Sequence, residues 1–156
     1  MTKFDELDRN TAFSLEQLIQ LSQQQLDALY AQNAPKEIPH GISNGRAMFF
    51  PGTILNAPMA QLARMFWQGK VFDKENGVLL NRVLGMQIIK AKLSIGESWF
   101  DHKESIIIDY KDNSICFGWI RDEIRPIGQN LYLGRAYART ESKQCLVTNF
   151  ALQIKD

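Results

Sequence analysis

From Gln87 onward, apolar and polar residues alternate in runs separated by short polar turns, the period-two pattern of strands joined as hairpins. The runs are Gln87–Ile95, Glu104–Lys111, Ile115–Ile127, Leu131–Arg139 and Cys145–Lys155, and the turns fall at 111–114, 128–130 and 140–143. Upstream, Arg46–Phe50 reads as a strand, and Lys70–Asp73 with Val78–Val83 reads as a hairpin turning at Asn76-Gly77, a dipeptide whose residues both tolerate positive φ. The pattern predicts a mainly β protein with flanking helices (α+β), built as an antiparallel up-and-down meander of roughly eight strands. A sheet of this kind buries its apolar face by curling into a barrel or by taking helices as cover.

Before the strands the period changes. Leu15, Leu18, Ile19, Leu26, Leu29 and Tyr30 recur at helical spacing, Ser14 can cap the first turn, and Phe13 can staple onto Leu18. One amphipathic helix is expected over 14–33, ending ahead of Pro35 and packed outside a barrel-like core of residues 46–155. Residues 35–53, rich in proline and glycine, are expected to be extended and turn-broken. A second helix is expected over Asn56–Trp67, with Pro58 in its first turn and Gly69 beyond its end, lying across one end of the barrel. No repeat, low-complexity tract or linker divides the sequence, so residues 1–156 read as a single domain.

With 156 residues, 45% apolar and 22% charged, the chain can bury a core without staples and has the balance of a globular protein. Its 18 basic and 17 acidic residues leave a formal charge of +1, which offers no basic excess for nucleic acid or an anionic membrane. No apolar stretch is long enough to span a bilayer, and the first residues lack the basic-then-apolar pattern of a secretory signal. A cytoplasmic location is therefore expected. Cys116 and Cys145 fall in separate expected strands without C-x-x-C spacing, so both are expected as reduced, packed thiols.

Familiar catalytic motifs are missing. The sequence holds no Gly-rich phosphate loop, nucleophile elbow or metal-ligand spacing, and His40 and His102 read as surface histidines without a ligand set. No cofactor and no metal are expected. The chemistry that remains is charge in line with apolar strand faces. Asp109, Arg121, Asp122 and Arg135 are read as a polar cluster at one end of a cavity, able to orient a carboxylate or carbonyl; the competing reading is a solvated rim of ion pairs. Trp67, Phe72, Trp99, Phe117, Trp119 and Tyr137 would supply apolar contact area. In the Leu131–Arg139 run, Leu131, Leu133, Arg135 and Tyr137 share one face, and Tyr132, Gly134, Ala136 and Ala138 share the other. The small face suits close packing or room for a ligand.

Between Gly41 and Phe72, two short motifs carry a family resemblance. Trp67, Gly69, Lys70 and Phe72 reproduce a W-x-G-K-x-F element, and Gly41 and Gly45 bracket Ser43 as G-x-S-x-G. In this stretch the chain resembles the GXWXG-type small bacterial proteins, a family of unassigned function, with Ser43 where that family has tryptophan. The resemblance implies a compact, lipocalin-like β-rich fold.

Three functions follow as expectations. The first is a binding module for a small apolar or amphipathic molecule, with Trp67, Phe72, Trp99, Phe117, Trp119 and Tyr137 as walls and Arg121 and Arg135 at the polar end. The second is a small barrel enzyme of the isomerase, cyclase or hydrolase kind, with Asp109 or Asp122 as acid or base. The third is a non-catalytic interaction protein, a homo-oligomer formed through the first helix or a sheet edge. An aspartate inside the barrel beside a cation would favour chemistry; charges on the rim would favour simple binding.

Overall fold

Among the described residues eight consecutive antiparallel strands form one sheet, and the first pairs with the last to close it into a barrel. The structure is a computed structural model and describes residues 13–49, 51 and 63–155. The strands are β1 (Gly41–Met48), β2 (Trp67–Asp73), β3 (Val78–Val83), β4 (Met86–Glu97), β5 (Glu104–Asp109), β6 (Ile120–Gly128), β7 (Leu131–Arg139) and β8 (Gln144–Ile154). Among the described residues the first and last strands of the meander are paired with each other along Ser43–Met48 and Asn149–Ile154, which covers edges that would otherwise template strand-by-strand association.

Two short helices, α1 (Leu15–Ile19) and α2 (Gln23–Ala31), replace the single expected helix over 14–33. The break has a local cause. Ser22 stops the first helix by capping the second: its Oγ accepts from Gln25 N at 3.3 Å while Gln25 returns the bond to Ser22 N at 2.9 Å. Ser14 and Gln17 form the same capping box on α1. Leu18, Ile19, Leu26 and Tyr30 then pack against Met48, Leu131, Leu133 and Ala151 on the outer wall. Most of the expected helix over Asn56–Trp67 lies outside the described residues; 63–66 are helical, and Trp67 already belongs to β2.

Pattern and structure coincide closely at β7 and differ most in one place. The run Ile115–Ile127 has the pattern of the longest strand, yet residues 111–119 form turns and β6 begins at Ile120. Tyr110 carbonyl accepts from both Asn113 N and Ser114 N, and Ser114 Oγ accepts from Phe117 N. These local bonds satisfy the backbone without a neighbouring strand. Cys116 thus sits exposed in a loop, and both cysteines are free. Another tight turn, Leu84-Gly85, has φ of 50° and 79°, the geometry of a two-residue hairpin turn.

The interior is divided lengthwise. Phe72, Leu79, Leu93, Ile106, Ile108, Ile124, Leu152 and Ile154 fill one half with a packed apolar core. The other half opens toward the end of the barrel that carries the β3–β4, β5–β6 and β7–β8 connections. Among the described residues no helix is long and apolar enough to cross a membrane.

Candidate functional site

An interior cavity of about 370 Å³ occupies the open half of the barrel, toward the small end of the range that takes a small organic ligand. Its walls are apolar: Ala47, Trp67, Val83, Ile89, Ile120, Ala136, Val147 and Phe150, with Phe49, Phe117 and Trp119 also lining it. Phe49, Phe117 and Trp119 are exposed as well as cavity-lining, so apolar side chains run from the interior out to solvent.

Local sequence builds this space. Ala136 is a small residue on the inner face of β7, and Gly134 beside it makes room for Phe150, whose ring a Cβ there would meet at 2.2 Å. A bulge between Trp67 and Gly69 lets two residues three apart both face inward, which strict alternation forbids. Gly69 has φ of 135°, and a Cβ on it would meet Ser43 O at 2.3 Å. Ser43 Oγ in turn accepts from Lys70 N at 2.9 Å and donates to Lys70 O at 2.8 Å. Gly45 leaves the space that the Trp67 ring fills, its virtual Cβ lying 2.6 Å from that ring. The two short motifs of the sequence therefore pack on each other, and together they aim Trp67 and Lys70 into the barrel.

Lys70, Asn81, Tyr110 and Asp122 meet where the cavity ends and the packed core begins. Lys70 Nζ donates to Asn81 Oδ1 at 2.8 Å, to Tyr110 Oη at 2.7 Å and to Asp122 Oδ2 at 2.8 Å, so all three ammonium hydrogens have an acceptor. Tyr110 Oη donates to Asp122 Oδ2 at 3.1 Å and accepts from Asn81 Nδ2 at 2.8 Å. Trp67 Nε1 donates to Asn81 Oδ1 at 3.1 Å. The Lys70 and Asp122 side chains are only 3% and 6% exposed. Burial pushes the Tyr110 phenol well above the ordinary tyrosine range, and the neighbouring Asp122 charge adds to the shift, so this hydroxyl keeps its proton to donate.

One cation and one anion cancel, so the cavity floor carries no net charge. Lys70 Nζ also lies 5.2 Å from the Phe150 ring centroid and 5.5 Å from those of Trp67 and Tyr110, within the range of a cation–π attraction. The wall beside the floor is strained. Ile89, a β-branched residue, has φ of 62° at the β3–β4 irregularity, an outlier for this residue type, and its carbonyl accepts from Asn81 Nδ2 at 3.3 Å.

Of the residues singled out from the sequence, Trp67, Phe117, Trp119 and Asp122 line the cavity. Phe72 is inside the barrel but belongs to the packed core. The others lie on the outer wall. Arg121 pairs with Glu123 at 3.0 Å and stacks 4.3 Å from the Trp99 ring, which makes an edge contact with Tyr137. Arg135 pairs with Asp27 of α2 and donates to Tyr137 Oη at 2.9 Å. Asp109 pairs with Arg139 at 2.5 Å. The expected cluster of Asp109, Arg121, Asp122 and Arg135 is thus split by the barrel wall, because neighbours on a strand point to opposite faces. Lys70, Asn81 and Tyr110 are site residues that the sequence reading does not include. Their signal was parity: Lys70 shares its face with Phe72, Asn81 with Leu79, and Tyr110 with Ile106 and Ile108.

No family model and no curated protein matches the chain. A solved structure of a protein from Thermomonospora curvata is similar in fold, with a TM-score of 0.55 and 19% identity over 88% of this chain and 90% of that one. At this identity the likeness concerns the fold alone.

Proposed function

We propose that the barrel binds a small, neutral, largely apolar molecule in its open half. The observation that carries this reading is the floor: a cavity with apolar walls ends on polar groups that already satisfy one another and whose charges cancel. A carboxylate there would bring a third charge into a buried, balanced set, and desolvating it would cost more than the remaining donors return. A neutral alcohol, aldehyde or ketone meets no such cost. Arg121 and Arg135 take no part, since Arg121 faces the β4–β5 connection and Arg135 faces α2 on the outside of the barrel. A non-catalytic binding module fits these features best, and a second reading, a small barrel enzyme, is favoured by Asp122 standing inside the barrel beside a cation and a tyrosine hydroxyl.

Displacement of Nile red by 1-octanol, followed alongside the emission of Trp67 and Trp119, tests the reading. Octanol should compete at least about tenfold better than octanoate, a difference of about 1.4 kcal/mol. Ala136→Phe, which fills the cavity from the inner face of β7, should abolish competition at a stability cost of about 1–3 kcal/mol. Equal competition by octanoate, or undiminished octanol binding in the variant, would overturn it.

A further inference from the structure

We propose that Lys70 is a reversible covalent anchor for carbonyl compounds, its Nζ forming an imine with the carbon of an apolar aldehyde or ketone seated on the cavity floor. The inference rests on the pocket reading above and names the ligand class more narrowly.

Lys70 is set apart by its position. Every other lysine among the described residues is exposed, whereas Lys70 is buried and lines the cavity. A lysine enclosed by apolar walls is the setting in which this side chain serves as an amine nucleophile. A purely structural explanation accounts for less. A buried ion pair is commonly no more stabilising than apolar residues of the same volume, and here the pair sits beside open space that such residues could have filled.

The partners needed for the reaction are in contact with the nitrogen. Asp122 Oδ2, 2.8 Å away, takes one proton from Nζ and so frees the nitrogen lone pair, and the transfer leaves the net charge of the floor unchanged. The lone pair forms the C–N bond as the carbonyl π electrons move to oxygen, and a proton passes from nitrogen to that oxygen to give a neutral carbinolamine. Asp122 then returns its proton to the carbinolamine hydroxyl, the C–O bond breaks with its electrons leaving in water, and the nitrogen pair closes the C=N bond. The sum is ammonium plus carbonyl giving protonated imine plus water, with Asp122 again a carboxylate facing one positive charge. Asn81 Oδ1 and Tyr110 Oη, at 2.8 and 2.7 Å, are positioning groups that hold the nitrogen toward the cavity. The apolar walls limit the water that would hydrolyse the product.

The native protein incubated with limiting n-octanal and sodium cyanoborohydride, then digested and mapped by mass spectrometry, tests this. Lys70 should carry a secondary amine, heavier by the aldehyde less its oxygen, at several-fold higher occupancy than any exposed lysine. Excess 1-octanol should suppress that label and leave the background on exposed lysines unchanged. Octanal that displaces Nile red yet leaves Lys70 unlabelled would overturn the covalent anchor while the binding reading stands. Failure of octanal and octanol alike to displace the dye would overturn both.

Discussion

Two groups of buried charge lie back to back across the same wall, and they are built for different ends. On the outside, Glu123 and Arg125 are both 0% exposed. Arg125 bonds both carboxylate oxygens of Asp101 at 2.6 and 2.8 Å, Ser105 Oγ at 2.8 Å, and the carbonyls of Glu104 and Tyr30 at 3.0 and 3.1 Å. Glu123 accepts from Ser98 Oγ at 2.5 Å and Trp99 N at 2.8 Å. Every one of these bonds ends on a helix, a loop or a strand, so the outer group fastens α2 and the β4–β5 connection to the barrel. The inner quartet is as thoroughly bonded, yet it faces a cavity. Buried charge by itself therefore marks nothing; the space left beside it does. The outer group also uses arginine, whose planar fork suits fixed bidentate bonding, whereas the inner one uses lysine, whose nitrogen can lose a proton.

The largest effect should come from Arg125→Ala. Removing the arginine takes from Asp101 its cation and from the Glu104 and Tyr30 carbonyls and Ser105 Oγ a buried donor, and should cost about 3–5 kcal/mol, read as a lowered urea midpoint, while the fraction still folded keeps its affinity for octanol. Loss of affinity without loss of stability would erase the distinction between the two groups. Lys70→Met should come next, at about 3 kcal/mol, because Asp122 is left as an uncompensated buried charge. Lys70→Met combined with Asp122→Leu should recover most of that loss without restoring imine formation. A double variant no more stable than the single one would mean that the quartet, too, is chiefly structural. The smallest effect is a pH dependence. The Arg125 guanidinium holds the Asp101 carboxyl below the usual aspartate range, so its stabilisation is complete above the unfolded value of about 3.9 and is lost as pH falls through the lowered one. Acid titration of the Arg125→Ala variant should show a shallower decline below about pH 4 than the parent; parallel curves would remove Asp101 from the account.

Much of the barrel was legible because alternation is a direct imprint of the pleat. Leu131–Arg139 was bounded as β7 is, and its small face, with Gly134 and Ala136, is the one that faces the barrel interior. The failures arose where local bonding competes with pattern. Ile115, Phe117 and Trp119 look like a strand, but Ser114 and the Tyr110 carbonyl hold that stretch in turns. Ser22 looks like one more polar position on a helix, but it caps a new one. The site was half legible. Asp122 and Trp67 are legible in the sequence, whereas Arg135 shares with Leu131 and Leu133 a face that is apolar because helices cover it from outside, so that face looks like an inner one. Lys70 is legible by its parity with Phe72, whereas the bulge that brings Trp67 to the same face is invisible to period-two reasoning.

Closure of the sheet has a kinetic meaning as well. The seam that completes the barrel joins Ser43 to Ile154 and Met48 to Asn149, residues separated by most of the chain. Contacts of such long range are slow to form, since the loop entropy is spent before any contact repays it. Until that seam zips, β8, which carries Val147, Thr148 and Phe150, is held by β7 alone, and the cavity stays open between β8 and β1. A ligand of the cavity is thus a ligand of the finished barrel only, and by mass action it would slow unzipping and leave the early, open forms of the chain untouched.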